Sequence, residues 1–186
     1  SVVPLKVKYP QGAEKQLIKA VCDRSIPPKG LPFDVGCVVA NVGTLVAVKE
    51  ALFDGKALYE RVITLAGTCL ARPANLRVRI GTLLTDLIAF CGGVKDPAKV
   101  IFGGPLMGVA QADLAVPVIK GTSGVLFLRA DETRAHDWGP CVKCGRCLDV
   151  CPMGLSPAII GSAVEKGLFP MAQDAGCLDC IECGAC

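Results

Sequence analysis

The spacing of hydrophobic and polar residues over the first part of the chain predicts alternating helix and strand. Apolar residues three and four positions apart mark one face of a helix over residues 11–21, which a segment rich in proline then ends. Residues 34–41 form a β-branched run typical of a buried strand, and residues 44–53 carry the apolar positions of a packed helix. We therefore expect a strand, a tight turn and a helix in succession.

The turn before the helix at residues 44–53 has two interpretations. Phosphate groups often bind at such a turn, because free backbone N–H groups and the helix dipole both favour an anion there. An ordinary packing unit of strand and helix has the same spacing. The spacing alone does not separate the two.

Residues 59–130 alternate short strands with a single helix. The strands are predicted at residues 61–66, 75–80, 99–102, 116–119 and 125–128. Thr82 is expected to cap the helix, and Gly92 with Gly93 to end it. Its buried face should consist of Leu83, Leu84, Leu87, Ile88 and Cys91. Five strands around one helix resemble a β-grasp arrangement, and we interpret the glycine pairs at residues 103–104 and 121–124 as turns.

Charge and apolar content exclude two classes of protein. The 186 residues contain 20 Lys and Arg against 17 Asp and Glu, a formal charge of +3, without a block of like charges, so nothing supports nucleic-acid binding. The longest uncharged stretch, residues 150–164, is broken by proline and glycine and is too short for a membrane helix. The chain opens without methionine or an export signal, and we expect residue 1 to be an internal position of a longer protein.

Cysteine is concentrated at one end of the chain. Eight of the 12 cysteines lie between Cys141 and Cys186, after a polar linker at residues 131–139. A secreted disulfide framework would require an export signal and cysteines spread through loops, so a reducing compartment fits better. We expect the order of this last segment to come mainly from a bound metal group.

The cysteines form two runs with the spacing of an iron-sulfur ferredoxin. The first run is Cys141, Cys144, Cys147 and Cys151, and the second run is Cys180, Cys183 and Cys186. With Pro152, the first run reads Cys-x2-Cys-x2-Cys-x3-Cys-Pro, the pattern of bacterial 4Fe-4S ferredoxins. Three thiolates, each separated from the next by two residues, let one tight loop bind three corners of a cubane. The fourth thiolate points to another cluster.

This pattern predicts crossed ligation of two 4Fe-4S clusters. Cys151 should join the second run on one cluster, while the rest of the first run would need a fourth cysteine a few residues beyond Cys186. Cys177 is either a substitute for that ligand or a nearby thiol, and we favour the second. Residues 156–165 are expected to form the helix between the two cluster loops, and Gly145 and Gly184 to let each loop turn tightly.

Zinc is the alternative for these cysteines, since all-cysteine zinc sites also use Cys-x2-Cys pairs. Three consecutive cysteines at this spacing and the Cys-Pro step argue against it. The remaining cysteines are predicted to be buried structural thiols without a role; they are Cys22, Cys37, Cys69 and Cys91. His136 lies in the polar linker and is predicted to be solvated. No catalytic residue can be assigned.

An ordered set of motifs gives the chain a resemblance to a known family. The motifs read YPQGAEKQLI at residues 9–18, NVGT at 41–44, GGPLMG at 103–108 and KGTSG at 120–124, followed by both cysteine runs. In this order, over nearly the whole chain, they resemble the C subunit of the Rnf electron transport complex. That resemblance implies an α+β chain of three parts.

The three parts implied by the resemblance have distinct roles. Residues 1–58 would be the end of an α/β domain that binds NADH and FMN, related to the flavin subunit of complex I. Residues 59–130 would be a β-grasp domain of the soluble-ligand-binding (SLBB) type, and residues 131–186 an α-helical ferredoxin-like domain for two 4Fe-4S clusters. The complex I turn Asn-Asn-Val-Glu-Thr near the flavin phosphate corresponds here to residues 40–44, so Asn41 and Thr44 carry over as flavin contacts.

The resemblance also implies a physiological setting. The intact protein would take part in a ferredoxin:NAD oxidoreductase that couples electron transfer to sodium or proton transport. Its partners would be ferredoxin, or a ferredoxin-like subunit, and the other subunits of a membrane-bound complex, on the cytoplasmic face of the bacterial inner membrane. Two alternatives stay open: a cobalamin reductase of a bacterial microcompartment, and a non-redox binding module stapled by zinc.

Overall fold

The computed structural model describes residues 1–133 and 139–186, which form two compact units. Unit 1 combines residues 1–42 with residues 139–186, and unit 2 begins at Gly43 and contains a β-sheet. The predicted position of His136 in the linker lies outside the described residues.

Unit 2 is built on a mixed sheet of five strands. The strands are β1 Glu60–Ala66, β2 Ala74–Arg79, β3 Lys99–Phe102, β4 Val109–Gln111 and β5 Gly124–Leu128. Their order is β2-β1-β5-β3-β4, and the central pair β1 and β5 is parallel while the other pairs are antiparallel. This arrangement with one packed helix agrees with the β-grasp expectation.

The core of unit 2 lies between the sheet and helix α3 (Leu84–Phe90). Alternate residues of the two central strands point into it, as a half-buried strand requires; they are Ile63, Leu65, Val125 and Phe127. The helix contributes Leu84, Leu87 and Ile88, and Cys91 follows at its end. The predicted buried face is therefore confirmed except at Leu83, which is 39% exposed.

The strand predicted at residues 116–119 is wrong, because this segment pairs with the start of α3 rather than with the sheet. The Leu84 N–H donates to the Val116 carbonyl at 2.9 Å, and the Val118 N–H donates to the Thr82 carbonyl at 2.8 Å. A backbone carbonyl thus satisfies the first helical N–H, and the expected side-chain cap by Thr82 is not formed. The fifth strand is instead β4, whose three residues are too few for a readable alternation.

In the N-terminal region, helix α1 runs over Glu14–Cys22 and confirms the first predicted helix. The strand predicted at residues 34–41 is wrong. Its start is a 3-10 turn at Pro32–Val35, and Val38 is 90% exposed. A strand needs a neighbour to pair its backbone groups, and in the described part of the chain residues 34–41 join no sheet.

Helix α2, at Val42–Phe53, confirms the second predicted helix but not its packing. None of its residues is buried within the described structure, and Leu52 and Phe53 at its end are exposed. The apolar pattern therefore predicted the helix correctly. The described residues do not provide the surface against which such an apolar helix usually packs.

The C-terminal part of unit 1 is helical. Its helices are α4 Arg146–Val150, α5 Pro157–Glu165 and α6 Phe169–Asp174, with a 3-10 turn at Cys177–Asp179. Helix α5 confirms the helix predicted between the cysteine runs. It packs against α6, and Ala163 and Ala172 are the buried small residues of the two helices.

Gly67 supports the first prediction about stability. Its φ is +125°, and a Cβ added there would lie 2.0 Å from the Phe127 carbonyl oxygen in β5. Because backbone cannot move aside cheaply, Gly67→Ala should lower the free energy of unfolding by about 3 kcal/mol, measured by urea denaturation. Gly104→Ala is the matched control, since nothing lies within 4 Å of its added Cβ. Equal midpoints for the two variants would contradict this packing.

Glu132 gives a prediction about pH. Its carboxylate accepts hydrogen bonds from the Thr68 hydroxyl at 2.7 Å and from the Arg129 N–H at 2.9 Å. These bonds, the Thr68 hydroxyl first, hold the pKa of Glu132 below its ordinary value of 4.5. The stabilisation should be present above that value and lost as pH falls through the lowered pKa of the folded state. In Thr68→Val, the urea midpoint should therefore fall less steeply as the pH is lowered below about 4.5. The same steepness as in the unmodified chain would contradict a stabilising bond from Thr68 to Glu132.

Candidate functional site

The two cysteine runs fold into loops with the same backbone pattern. The residue before the second cysteine of each loop has a left-handed backbone, with φ of +56° at Lys143 and +52° at Glu182. The glycine after that cysteine does too, with φ of +78° at Gly145 and +70° at Gly184. Left-handed backbone costs about 1–2 kcal/mol in residues other than glycine. Because both loops adopt it at the same position, at Lys143 and Glu182, the shape of the loop requires this conformation there. Backbone in such conformations turns successive N–H groups towards one point, which favours an anion.

An apolar cavity of about 260 Å³ adjoins the second loop. Five cysteines contribute to its wall: Cys151, Cys177, Cys180, Cys183 and Cys186. The rest of the wall is mainly apolar and includes Met153, Leu155, Ile160 and Ile181. Cys183 is the most buried of these cysteines, at 7% exposure. The structure thus brings Cys151 of the first run to the second run.

Backbone N–H groups point at two of these sulfurs. The Leu155 N–H donates to Cys151 Sγ at 3.3 Å, and the Glu182 N–H donates to Cys180 Sγ at 3.3 Å. Such bonds offset negative charge on a thiolate and on any metal group bound to it. They are an arrangement suited to sulfur as a ligand rather than as a packing atom.

The rest of the first run lies outside this cavity. Cys141 and Cys144 are exposed, and Cys147 is half-buried. The loop that carries them has the left-handed residues described above, but these three cysteines do not contribute to the cavity wall. The structure therefore assembles the cysteines of one predicted ligand set around a cavity, and their assignment as ligands stays a prediction.

Cysteine thiolates are the donors that a 4Fe-4S cluster uses, and the cavity gathers four cysteines of one predicted ligand set. In the described part of the chain, no three potential ligands are placed so that they could hold one metal ion. A tetrahedral zinc site draws four sulfurs to about 2.3 Å from the metal, and so to about 3.8 Å from one another. In a 4Fe-4S cubane each thiolate binds a different iron, so the sulfurs stand farther apart around a cavity.

Asn41 and Thr44 lie at the start of helix α2. Asn41 directly precedes the helix, Thr44 is in its first turn, and both are exposed. The first turn of a helix carries N–H groups without intrahelical partners, which suits an anion. Their role as flavin contacts stays a prediction.

The four isolated cysteines divide into two kinds. Cys69 and Cys91 are buried in the core of unit 2, as predicted. The same prediction is wrong for Cys22, which is exposed, and for Cys37, which is half-buried. Cys22 is the last residue of α1, where the chain turns through Asp23, and Ile18 is the buried residue of that helix.

One contact at this site has no counterpart in the sequence pattern. The Tyr9 hydroxyl donates to the Cys183 carbonyl oxygen at 2.6 Å, across 174 positions of sequence. A hydrogen bond between residues so far apart leaves no trace in local spacing. The N-terminal segment of unit 1 therefore takes part in the cysteine site.

Comparison with known families identifies two domains. Residues 1–50 match the Nuo51 FMN-binding domain, and residues 62–110 match the SLBB domain. No helix in the described ranges is long and apolar enough to cross a membrane.

Curated proteins similar to this chain carry related names. The C subunit of the proton-translocating ferredoxin:NAD(+) oxidoreductase complex of Clostridium ljungdahlii is 47% identical over 93% of this chain and 38% of its own length. The C subunit of the Na(+)-translocating complex of Acetobacterium woodii is 42% identical over 96% of this chain and 40% of its own. The C subunit of the ion-translocating oxidoreductase complex of Rhodobacter capsulatus is 42% identical over 94% and 34%. The chain thus spans roughly two fifths or less of these relatives.

Proposed function

Because the chain belongs to the family formed by the C subunits of Rnf-type, ion-translocating ferredoxin:NAD(+) oxidoreductase complexes, we propose that it is a part of such a protein that carries electrons through iron-sulfur clusters. The observation that supports this most is the apolar cavity lined by Cys151, Cys180, Cys183 and Cys186. It combines both cysteine runs in the crossed way that the spacing predicts.

The residues around the cavity have three tasks in this proposal. The four thiolates hold a 4Fe-4S cluster, whose chemistry is to accept and release one electron. Apolar side chains such as Leu155 and Ile160 keep water away from it. The N–H groups that point at Cys151 and Cys180 moderate the charge that the sulfurs share.

Cys141, Cys144 and Cys147 supply three ligands of a second 4Fe-4S cluster in this proposal. Their loop repeats the backbone of the second loop, including the left-handed residue before the middle cysteine. Residues 131–186 are in this proposal a ferredoxin-like domain, with helix α5 between its two loops. Cys177 lies at the first cavity as an additional thiol.

In the intact protein, we propose that these clusters exchange electrons with FMN and NAD(H) on one side and with ferredoxin on the other. Residues 1–58 contribute the end of the flavin domain, with Asn41 and Thr44 near the flavin phosphate, and residues 59–130 contribute the SLBB domain. The other subunits of a membrane-bound complex would couple this flow to ion transport, with this protein peripheral on the cytoplasmic face.

An anaerobic redox titration tests the proposal. The chain reconstituted with iron and sulfide should show visible absorption that dithionite bleaches by one electron per cluster and that a mild oxidant restores. A metal-loaded chain whose spectrum does not respond to dithionite would contradict an electron-transfer role and favour a structural one.

A further inference from the structure

The N-terminal segment reaches the cysteine site through two side chains. The Tyr9 hydroxyl donates to the Cys183 carbonyl oxygen at 2.6 Å, and the Gln16 amide lies 3.4 Å from Met153 Sδ. Cys183 and Met153 both line the apolar cavity. Two side chains of the N-terminal segment therefore contact residues that line the candidate cluster site.

A second, smaller cavity runs along the same contact. It has a volume of about 140 Å³ and is lined by Tyr9 and Gln16 from the N-terminal segment and by Cys151 and Pro152 from the first run. Cys151 and Pro152 also line the larger cavity. The N-terminal segment thus lies next to Cys151, the last cysteine of the first run, as well as next to Cys183.

We propose that Tyr9 is a positioning residue for the cluster held by Cys151 and the second cysteine run. This inference rests on the proposed function. Tyr9 does not touch the cluster itself, but acts through the peptide that joins Cys183 to Gly184. The segment that carries it lies within the match to the FMN-binding domain, so the flavin part of the protein and the cluster site share a hydrogen bond.

The direction of the effect follows from the peptide that Tyr9 contacts. A donor on the Cys183 carbonyl offsets the negative end of that peptide dipole. It also polarises the Gly184 N–H at the other end, because hydrogen bonds in series strengthen one another. Both effects favour the more negative, reduced cluster, and Gly184 lines the cavity. Removal of the hydroxyl should therefore lower the midpoint potential of the cluster.

The test is the substitution Tyr9→Phe in the reconstituted chain, with Tyr59→Phe as the matched control. Tyr59 is the other tyrosine and lies in unit 2, so its hydroxyl is not part of this contact. We expect Tyr9→Phe to keep its iron and sulfide at first, to show a lower midpoint potential, and to lose the cluster to a chelator about tenfold faster. Gln16→Leu should shift both quantities in the same direction by less, because its bond is longer and its acceptor is a thioether.

The outcomes separate this inference from the proposed function. If Tyr9→Phe carries a cluster with the potential and loss rate of Tyr59→Phe, the positioning role is wrong while the electron-transfer proposal stands. If the unmodified chain takes up no iron and sulfide, the proposal and this inference both fall. A lowered potential in Tyr9→Phe but not in Tyr59→Phe supports the role of the hydroxyl, since a general loss of structure would affect iron content first.

Discussion

The variant Cys183→Ala is expected to lose about four irons and four sulfides per chain relative to the unmodified protein. Cys183 is the most buried cysteine of the site, and it lines the cavity that gathers cysteines of both runs. Alanine has no ligand atom, so one corner of the cubane would be open to water and oxygen. The measurement is anaerobic iron and acid-labile sulfide analysis after reconstitution.

Two further variants make this prediction specific. Cys22→Ala removes an exposed cysteine from the end of α1 and should keep the full iron content. Cys151→Ala should lose the same cluster as Cys183→Ala, and the double variant should lose no more than either. If the losses of Cys151→Ala and Cys183→Ala add, the two cysteines serve different clusters and crossed ligation is wrong.

The variant Phe127→Ala is expected to lower the free energy of unfolding by about 4 kcal/mol. Phe127 is 0% exposed and lies on β5 between the sheet and α3. Truncation would leave a cavity that the close-packed core can fill only in part, so the lost contacts and the cavity both count. Urea denaturation followed by circular dichroism measures the change.

The control for this variant is Phe90→Ala, at the last position of α3. Phe90 is 67% exposed, and its truncation should change the free energy of unfolding by less than about 0.5 kcal/mol. The iron content of Phe127→Ala should stay that of the unmodified chain, since the residue belongs to unit 2. A loss below about 1 kcal/mol for Phe127→Ala would mean that the sheet and helix do not pack as described.

Local patterns predicted the elements that local chemistry determines. The pattern of short strands around one helix placed β1, β2, β3 and β5, and the periodicity before Gly92 placed helix α3 with its buried face. Each of these elements buries one side against a neighbour in its own unit, so the apolar spacing carries the information. The cysteine spacing also predicted that Cys151 would lie with the second run, and these cysteines line one cavity, while their role as cluster ligands stays a prediction.

Features that depend on a distant partner could not be predicted. Residues 116–119 have strand-like composition, but they pair with residues 81–84, and composition does not name a partner. Residues 34–41 also have a strand-like composition, but they join no sheet within the described ranges. The hydrogen bond from Tyr9 to Cys183 is the extreme case, because it depends on how the first and last parts of unit 1 pack together.

The most direct test of electron transfer through the cysteine site is metal analysis of the chain after anaerobic reconstitution, with a low-temperature EPR spectrum after dithionite reduction. We expect at least about four irons and four acid-labile sulfides per chain, no stoichiometric zinc, and a signal from a reduced 4Fe-4S cluster. Zinc without sulfide, or no metal at all, would contradict electron transfer and leave the cysteine site with a structural role.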